Sequence, residues 1–235
     1  PADHAPKLFR HLQLAPKLEA IKNLSEAIEI NPKYADAYNN LANALQEMGN
    51  WDEAIAIYKR AVEIRPSYAE SHCNLGILLE RTNRFNQAVA SYKRALRIKP
   101  DYVEAYKNIG SVLQKMNDLG GAIESYKKAL KLTPLNAELH NSLGLVLKKN
   151  AQPAYAIQCF SRALELHPEF ADAHNNMGLA KQSKGDMMGA KVSYKNALGI
   201  DPDFWEARYN LGNVFYGLGD TDEAVDSFRK VLKIK

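Results

Sequence analysis

The stretch PKYADAYNNLA, residues 32–42, decides the reading of this chain, because near-copies stand at PSYAESHCNLG (66–76), PDYVEAYKNIG (100–110) and PDFWEARYNLG (202–212). Each holds a proline, an aromatic, an acid and a residue near the middle that is usually asparagine, at fixed offsets. Prolines at 32, 66, 100, 134, 168 and 202 are spaced by 34 residues every time. A fixed period of this length marks an array of small supersecondary units, none able to bury its apolar face alone.

Setting register position 1 three residues after each proline divides the chain into units 35–68, 69–102, 103–136, 137–170, 171–204 and 205–235. Position 20 is Ala54, Ala88, Ala122, Ala156, Ala190 and Ala224; position 24 is Tyr58, Tyr92, Tyr126, Phe160, Tyr194 and Phe228. Positions 4, 7, 8 and 11 form one apolar stripe at helical spacing, and positions 20, 24, 27 and 28 form another. Each unit therefore reads as two helices. Position 15, between them, is Gly49, Asn83, Asn117, Ala151, Gly185 and Gly219. Five of these six are types that adopt a left-handed helix end cheaply. At the exception, Ala151, the nearby Pro153 suits the first turn of the second helix. The periodic proline closes each second helix.

The pattern resembles the tetratricopeptide repeat, matching its small-small-aromatic spacing and its proline at position 32, over residues 17–235. The resemblance implies an all-α fold, a right-handed superhelical solenoid of stacked antiparallel helix pairs with a long concave surface. Residues 17–34 are expected to form the second helix of a partial repeat. Residues 1–16 are expected to be a tail or a divergent first helix, because His4, Lys7 and His11 stand where packing residues belong. The chain stops at VLKIK without a polar capping helix, which suggests a fragment, or self-association through uncapped ends.

Composition narrows the function. The chain has 235 residues, 46% hydrophobic and 25% charged, with a net charge of +4. That charge is too small to argue for nucleic acid, and no run of five basic residues occurs. No apolar run approaches a membrane span. Cys73 and Cys159 match no metal or redox spacing and suit a reducing, cytoplasmic setting. No catalytic constellation, metal site or cofactor motif is expected, so the chain reads as a non-enzyme. His72, His140 and His174 all occupy position 4 and read as core histidines, because helices packed about 10 Å apart cannot converge them on one ion.

The candidate site lies on the first helices. Position 6 is Asn40, Asn74, Asn108, Ser142, Asn176 and Asn210; position 2 is Asp36, Glu70, Glu104, Glu138, Asp172 and Glu206. Residues four apart share a helix face, here the face opposite the apolar stripe. Acids in a first helical turn suit the helix dipole without any ligand. Asparagine is a mediocre mid-helix residue, yet its amide offers a donor and an acceptor together, the complement of a peptide backbone. The expectation is a groove that holds an extended partner segment. Its candidate contacts are Asn40, Asn74, Asn108, Asn176, Asn210, Asp36, Glu70, Glu104, Asp172 and Glu206, with Tyr209 as an aromatic anchor. A rival use of these amides is bonding to neighbouring helices.

The pattern of asparagine at position 6 with an acid at position 2, as in YADAYNNLA and FADAHNNMG, is similar to the superhelical repeats of O-linked N-acetylglucosamine transferase. That resemblance implies asparagines binding substrate-peptide backbone and aspartates contacting side chains, and a substrate-recognition arm of a larger enzyme as a second function. Four of the six acids here are Glu, and Ser142 interrupts the amides. Repeats that grip a chaperone's terminal carboxylate carry cations at positions 2 and 5 to 6; the acids here would repel that ligand.

Overall fold

The computed structural model describes the backbone of residues 5–234 and the side chains of residues 15–234. The described chain is all-helical, with thirteen helices: α1 (Ala5–Ile30), α2 (Ala35–Glu47), α3 (Trp51–Ile64), α4 (Ala69–Arg81), α5 (Phe85–Ile98), α6 (Val103–Lys115), α7 (Leu119–Leu132), α8 (Ala137–Lys149), α9 (Pro153–Leu166), α10 (Ala171–Ser183), α11 (Met187–Ile200), α12 (Trp205–Leu218) and α13 (Thr221–Ile234). They fall into two compact units, Pro1–Val112 and Leu113–Lys235. In the first, α2 packs on α3 and α4 on α5, with α1 against α2 and α3 against α4. In the second, α8 packs on α9, α10 on α11 and α12 on α13, each pair resting on the next.

Small residues bring the helices of a pair together. The alanines at positions 20 and 27 are fully buried from Ala54 through Ala197, and Tyr58, Tyr92, Phe160 and Tyr194 fill the space they leave. A fully buried aromatic of this size contributes roughly 2–3 kcal/mol. The opposing residue at position 8 is glycine in five units. A Cβ added at Gly76, Gly144 or Gly178 would stand 2.5 Å from the Tyr92, Phe160 or Tyr194 ring. Glycine there is the cost of seating a large ring against a helix backbone.

The aromatic also selects its partner at position 12. The Tyr58 hydroxyl donates to Asn43 and, at 3.4 Å, to Gln46; Tyr92 donates to Glu80 at 3.1 Å and Tyr194 to Gln182 at 2.9 Å. Where the aromatic is phenylalanine and has no hydroxyl, at Phe160 and Phe228, position 12 is Lys148 or Tyr216 rather than a carbonyl or carboxylate.

Both kinds of turn follow from one residue each. All six residues at position 15 have positive φ: Gly49 85°, Asn83 59°, Asn117 64°, Ala151 55°, Gly185 82° and Gly219 86°. Ala151 thus takes the conformation its neighbours in register take, despite its Cβ. Between units the chain makes a four-residue turn with proline second, closed by Tyr34 N–H to Asn31 C=O at 3.0 Å and by the same bond at Tyr68, Tyr102, Asn136, Phe170 and Phe204. Proline pre-sets φ for that place in a turn.

Helix α1 runs through the expected junction at residues 16–17 with Pro16 inside it. Its residue at register position 15 is Ala15, which stays helical, so no left-handed turn splits the segment. The expected contribution of residues 1–4 lies outside the described residues.

Candidate functional site

The first helices carry the candidate residues at positions 2, 5, 6 and 9, and the geometry separates them. Position 6 does not simply face outward. Asn176 Nδ2 donates to Asn141 Oδ1 at 3.0 Å, and Asn210 Nδ2 to Asn175 Oδ1 at 3.1 Å. Asn74 Nδ2 reaches Asn39 Oδ1 and Asn43 Oδ1, each at 3.5 Å. Asn108 lies beside the Cys73 thiol and favours its ionised form. In all four cases the residue met thirty-five positions back stands at position 5 of the preceding unit, and Asn74 meets Asn43 at position 9 as well. The acceptors are buried: Asn39 is 2% exposed, Cys73 1%, Asn141 8% and Asn175 7%.

Position 5 is therefore an inter-repeat contact at Asn39, Cys73, Asn141 and Asn175, while Lys107 and Tyr209 in the same register are exposed. Cys73 is enclosed there, and burial pushes its thiol up to about 11. A thiol held protonated in this way is a poor nucleophile. The signal that could have found the bridge is the doublet: in Asn-Asn at 175–176 the first residue accepts from the next unit and the second donates to the previous one.

The amides differ in what remains free. Asn176 is 8% exposed; Asn74, Asn108 and Asn210 are half-buried; Asn40 is exposed. Each bridged amide spends one N–H on its neighbour and keeps a second N–H and a carbonyl oxygen.

The acids divide too. Asp36 is clamped by Arg65, whose Nη1 and Nη2 donate to its two oxygens at 2.9 and 2.6 Å. The Arg65 hydrogen bonds hold the Asp36 carboxyl below its ordinary range. Glu70, Glu104 and Asp172 are exposed and Glu206 half-buried, and among the described residues no cation pairs with any of the four. Position 9, with Ile77, Leu145 and Leu179, is half-buried beside them. Tyr209 is 47% exposed, its ring leaning on Phe228 at 5.7 Å.

The position-4 histidines share a role beyond packing. The Nε2 atoms of His72, His140 and His174 lie 3.1, 3.0 and 3.0 Å from the carbonyl oxygens of Pro66, Pro134 and Pro168. A carbonyl only accepts, so each Nε2 carries the proton. Arg208 does the same in the last unit, donating to the Pro202 carbonyl at 2.6 Å. Position 4 thus ties the first helix to the turn that precedes it. His72 is buried; His140 and His174 are half-buried.

Among the described residues no group of three or more His, Cys, Asp or Glu is placed to hold a metal ion, and no helix is long and apolar enough to cross a membrane.

This architecture and its register define a helical-repeat protein. Family models of the tetratricopeptide repeat match residues 18–67, 33–101 and 205–235, and a TPR repeat model matches 115–150, 154–185 and 183–219. The chain belongs to the tetratricopeptide repeat family. The crystal structure of MamA protein is 30% identical, covering 71% of this chain and 91% of its own, with a TM-score of 0.64. YrrB, described as a TPR protein with an unusual peptide-binding site, is 26% identical over 78% of this chain and 95% of its own, TM-score 0.68. The C-terminal part of a TPR repeat-containing protein from Cytophaga hutchinsonii shares the fold at 18% identity, covering 99% of this chain and 94% of its own, TM-score 0.78. No curated protein matches the chain.

Proposed function

We propose that the chain is a protein-interaction scaffold that holds an extended, basic or hydroxyl-bearing segment of a partner along the first-helix face of each unit. The observation that carries this reading is the set of unpaired carboxylates, Glu70 and Glu104 in one unit and Asp172 and Glu206 in the other, each four residues before an amide. Acids that served only the helix dipole would not need to recur beside asparagine. Exposed side chains on one helix face four residues apart present a carboxylate and a primary amide together. The amide N–H left over from the inter-repeat bridge is free for a backbone carbonyl, and the carboxylates favour a cation or hydroxyl. Half-buried Ile77, Leu145 and Leu179 offer apolar contact beside them. A neighbour at 26% identity whose own description is of peptide binding supports the class of ligand.

The bridge changes which residues should matter. Asn40, Asn74, Asn108 and Asn210 remain partly accessible; Asn176 is held between units and is the weakest candidate for contact. The likeness to the glycosyltransferase repeats rests on these same positions, whose amides are shared with the stack itself.

The test separates ligand contact from folding by sparing the bridge. Screening an extended-peptide library against the wild type and against Glu70→Gln/Glu104→Gln/Asp172→Asn/Glu206→Gln, by fluorescence anisotropy, should return basic peptides that the variant loses by tenfold or more. Equal affinity in both proteins would overturn the reading and move the search to the second-helix face.

A further inference from the structure

The two amide bridges of the second compact unit each leave a donor over. Asn141 and Asn175 accept through Oδ1 from Asn176 and Asn210, at 3.0 and 3.1 Å. Their own Nδ2 groups have no partner among the described residues. Both side chains are more than nine-tenths buried, at 8% and 7% exposure. Yet neither Nδ2 is sealed from solvent, as the unpaired Ser71 hydroxyl is. Each is an N–H donor held in place by its own oxygen and open on one side. Polar groups at such depth ordinarily have a partner.

The surroundings of these donors repeat. Leu145 and Leu179 stand four residues after them, half-buried on the same helix faces. Asp172 stands three residues before Asn175, and Glu206 takes the register position of Asp172 on α12. Among the described residues neither acid has an ion pair. Helices α8 and α10, and α10 and α12, approach within 8 Å between Cα atoms. Helices in contact lie about 8–10 Å apart, so a ligand crossing them meets equivalent groups once per step of that length.

The step selects a backbone conformation. Side chains on one side of a β-strand recur about every 6.7 Å, or about 13 Å for four residues, and neither interval fits. An α-helix returns to one face after seven residues, about 10.5 Å, but its carbonyls are already bonded internally. A polyproline II helix repeats every three residues, about 9.3 Å, with its backbone carbonyls free. The open groups of Asn141 and Asn175 are donors, so the ligand must supply carbonyls and needs no N–H there. Proline meets that demand, because it lacks only the N–H, and its ring suits the two leucines.

We propose, building on the scaffold reading above, that the second unit binds a polyproline II segment with a basic residue at every third position. Asn141 and Asn175 donate to carbonyls one turn apart. Asp172 and Glu206 take the cations, also one turn apart, and the residues between lie against Leu145 and Leu179.

The probes are three acetylated octapeptides of six prolines and two lysines, with the lysines two, three or four residues apart. A fourth peptide has the lysines three apart and glycine in place of proline. Calorimetry against the whole chain should rank the three-apart proline peptide at least fivefold tighter than its two isomers, and tighter than the glycine peptide. Asn141→Asp/Asn175→Asp keeps each bridging oxygen and removes each open donor while adding negative charge. It should weaken the three-apart peptide at least fivefold, where capture by charge alone would tighten it. Asp172→Asn/Glu206→Gln separates two kinds of failure. Isomers that bind the wild type equally and all weaken in that variant would overturn the three-residue register and leave the scaffold reading standing. Isomers indifferent to that variant would overturn both. A glycine peptide of equal affinity, tighter binding after the Asn141→Asp/Asn175→Asp change, or no binding of any proline peptide would each overturn the proposal.

Discussion

If the position-6 amides hold neighbouring units together, the Asn141–Asn176 pair must behave as a coupled pair in the absence of any ligand. The bond is 3.0 Å long, and both residues are 8% exposed. Asn176→Ala leaves the Asn141 oxygen buried without its donor, at about 1–3 kcal/mol. Asn141→Ala strands the Asn176 amide at a similar cost. The double variant removes both polar groups, so its cost falls short of the sum by roughly 1–2 kcal/mol. Urea unfolding followed by far-UV circular dichroism gives the four stabilities. Hydrogen exchange in α8 and α10 localises the loss, since repeat arrays need not unfold in one step. The structure also predicts a gradient. The Asn74–Asn39 contact, at 3.5 Å, should couple by less than about half as much, being at the edge of hydrogen-bond range. Asn40 stands thirty-five residues after Ala5, which has no polar side chain, and its Oδ1 accepts only a long 3.4 Å bond from Asn39 Nδ2. Asn40→Ala should therefore change stability by no more than about 0.5 kcal/mol. Additive costs at Asn141 and Asn176, or an equal effect at all of these positions, would refute the bridge.

Other perturbations test the fold residue by residue. Ala151→Gly should stabilise by about 0.5–1 kcal/mol, the left-handed penalty of about 1–2 kcal/mol less the entropy that glycine adds to the unfolded chain, whereas Gly185→Ala, with nothing within 4 Å of the new Cβ, should lose a similar amount in the same urea assay. Gly178→Ala drives a methyl to 2.5 Å from the Tyr194 ring and should cost about 1–3 kcal/mol of overpacking, read from the same unfolding curves. The Asp36 carboxyl is depressed in the folded chain, so its contribution is present above its unfolded value and fades as pH falls through the folded one; at these exposures it is worth about 0.2–1 kcal/mol, and a comparison of Asp36→Asn with wild type across pH 2 to 7 should show the gap only at the higher end. Iodoacetamide at about pH 8, followed by mass spectrometry, should label the half-buried Cys159 before the enclosed Cys73.

The fold was legible because its determinants are local and repeated. A 34-residue proline spacing, small residues at positions 20 and 27 and an aromatic between them each specify one turn or one close approach. Ala151, the exception by residue type, takes the positive φ of its register position all the same. The site was legible only in part. A helical wheel relates residues three and four apart, which is enough to put a carboxylate beside an amide on one face. The partner of Asn176, however, is Asn141, a unit and one residue away. That offset depends on how successive helix pairs are rotated and translated against each other, and nothing within a single helix encodes it. The same holds for the histidines: spacing located His72, His140 and His174 in one register position, while the proline carbonyls that fix their tautomer belong to the turn.

The bridge bears on how such a scaffold recognises anything. A peptide-binding face built from mobile amides would lose side-chain entropy with every contact, about 0.5–1.5 kcal/mol for each immobilised side chain. An asparagine already anchored through one N–H has lost that freedom on folding. Its remaining donor and acceptor are presented at fixed positions, one set per repeat. The buried position-5 acceptors then do for the amides what supporting hydrogen bonds do around other binding sites, which is to orient the contacting group before the ligand arrives. This argument orders the candidates: Asn210, anchored at 3.1 Å and half-exposed, combines orientation with access, Asn40 has access alone, and Asn176 has orientation alone. Single alanine substitutions should therefore weaken peptide binding most at Asn210 and least at Asn176, whereas stability should fall most at Asn176 and least at Asn40.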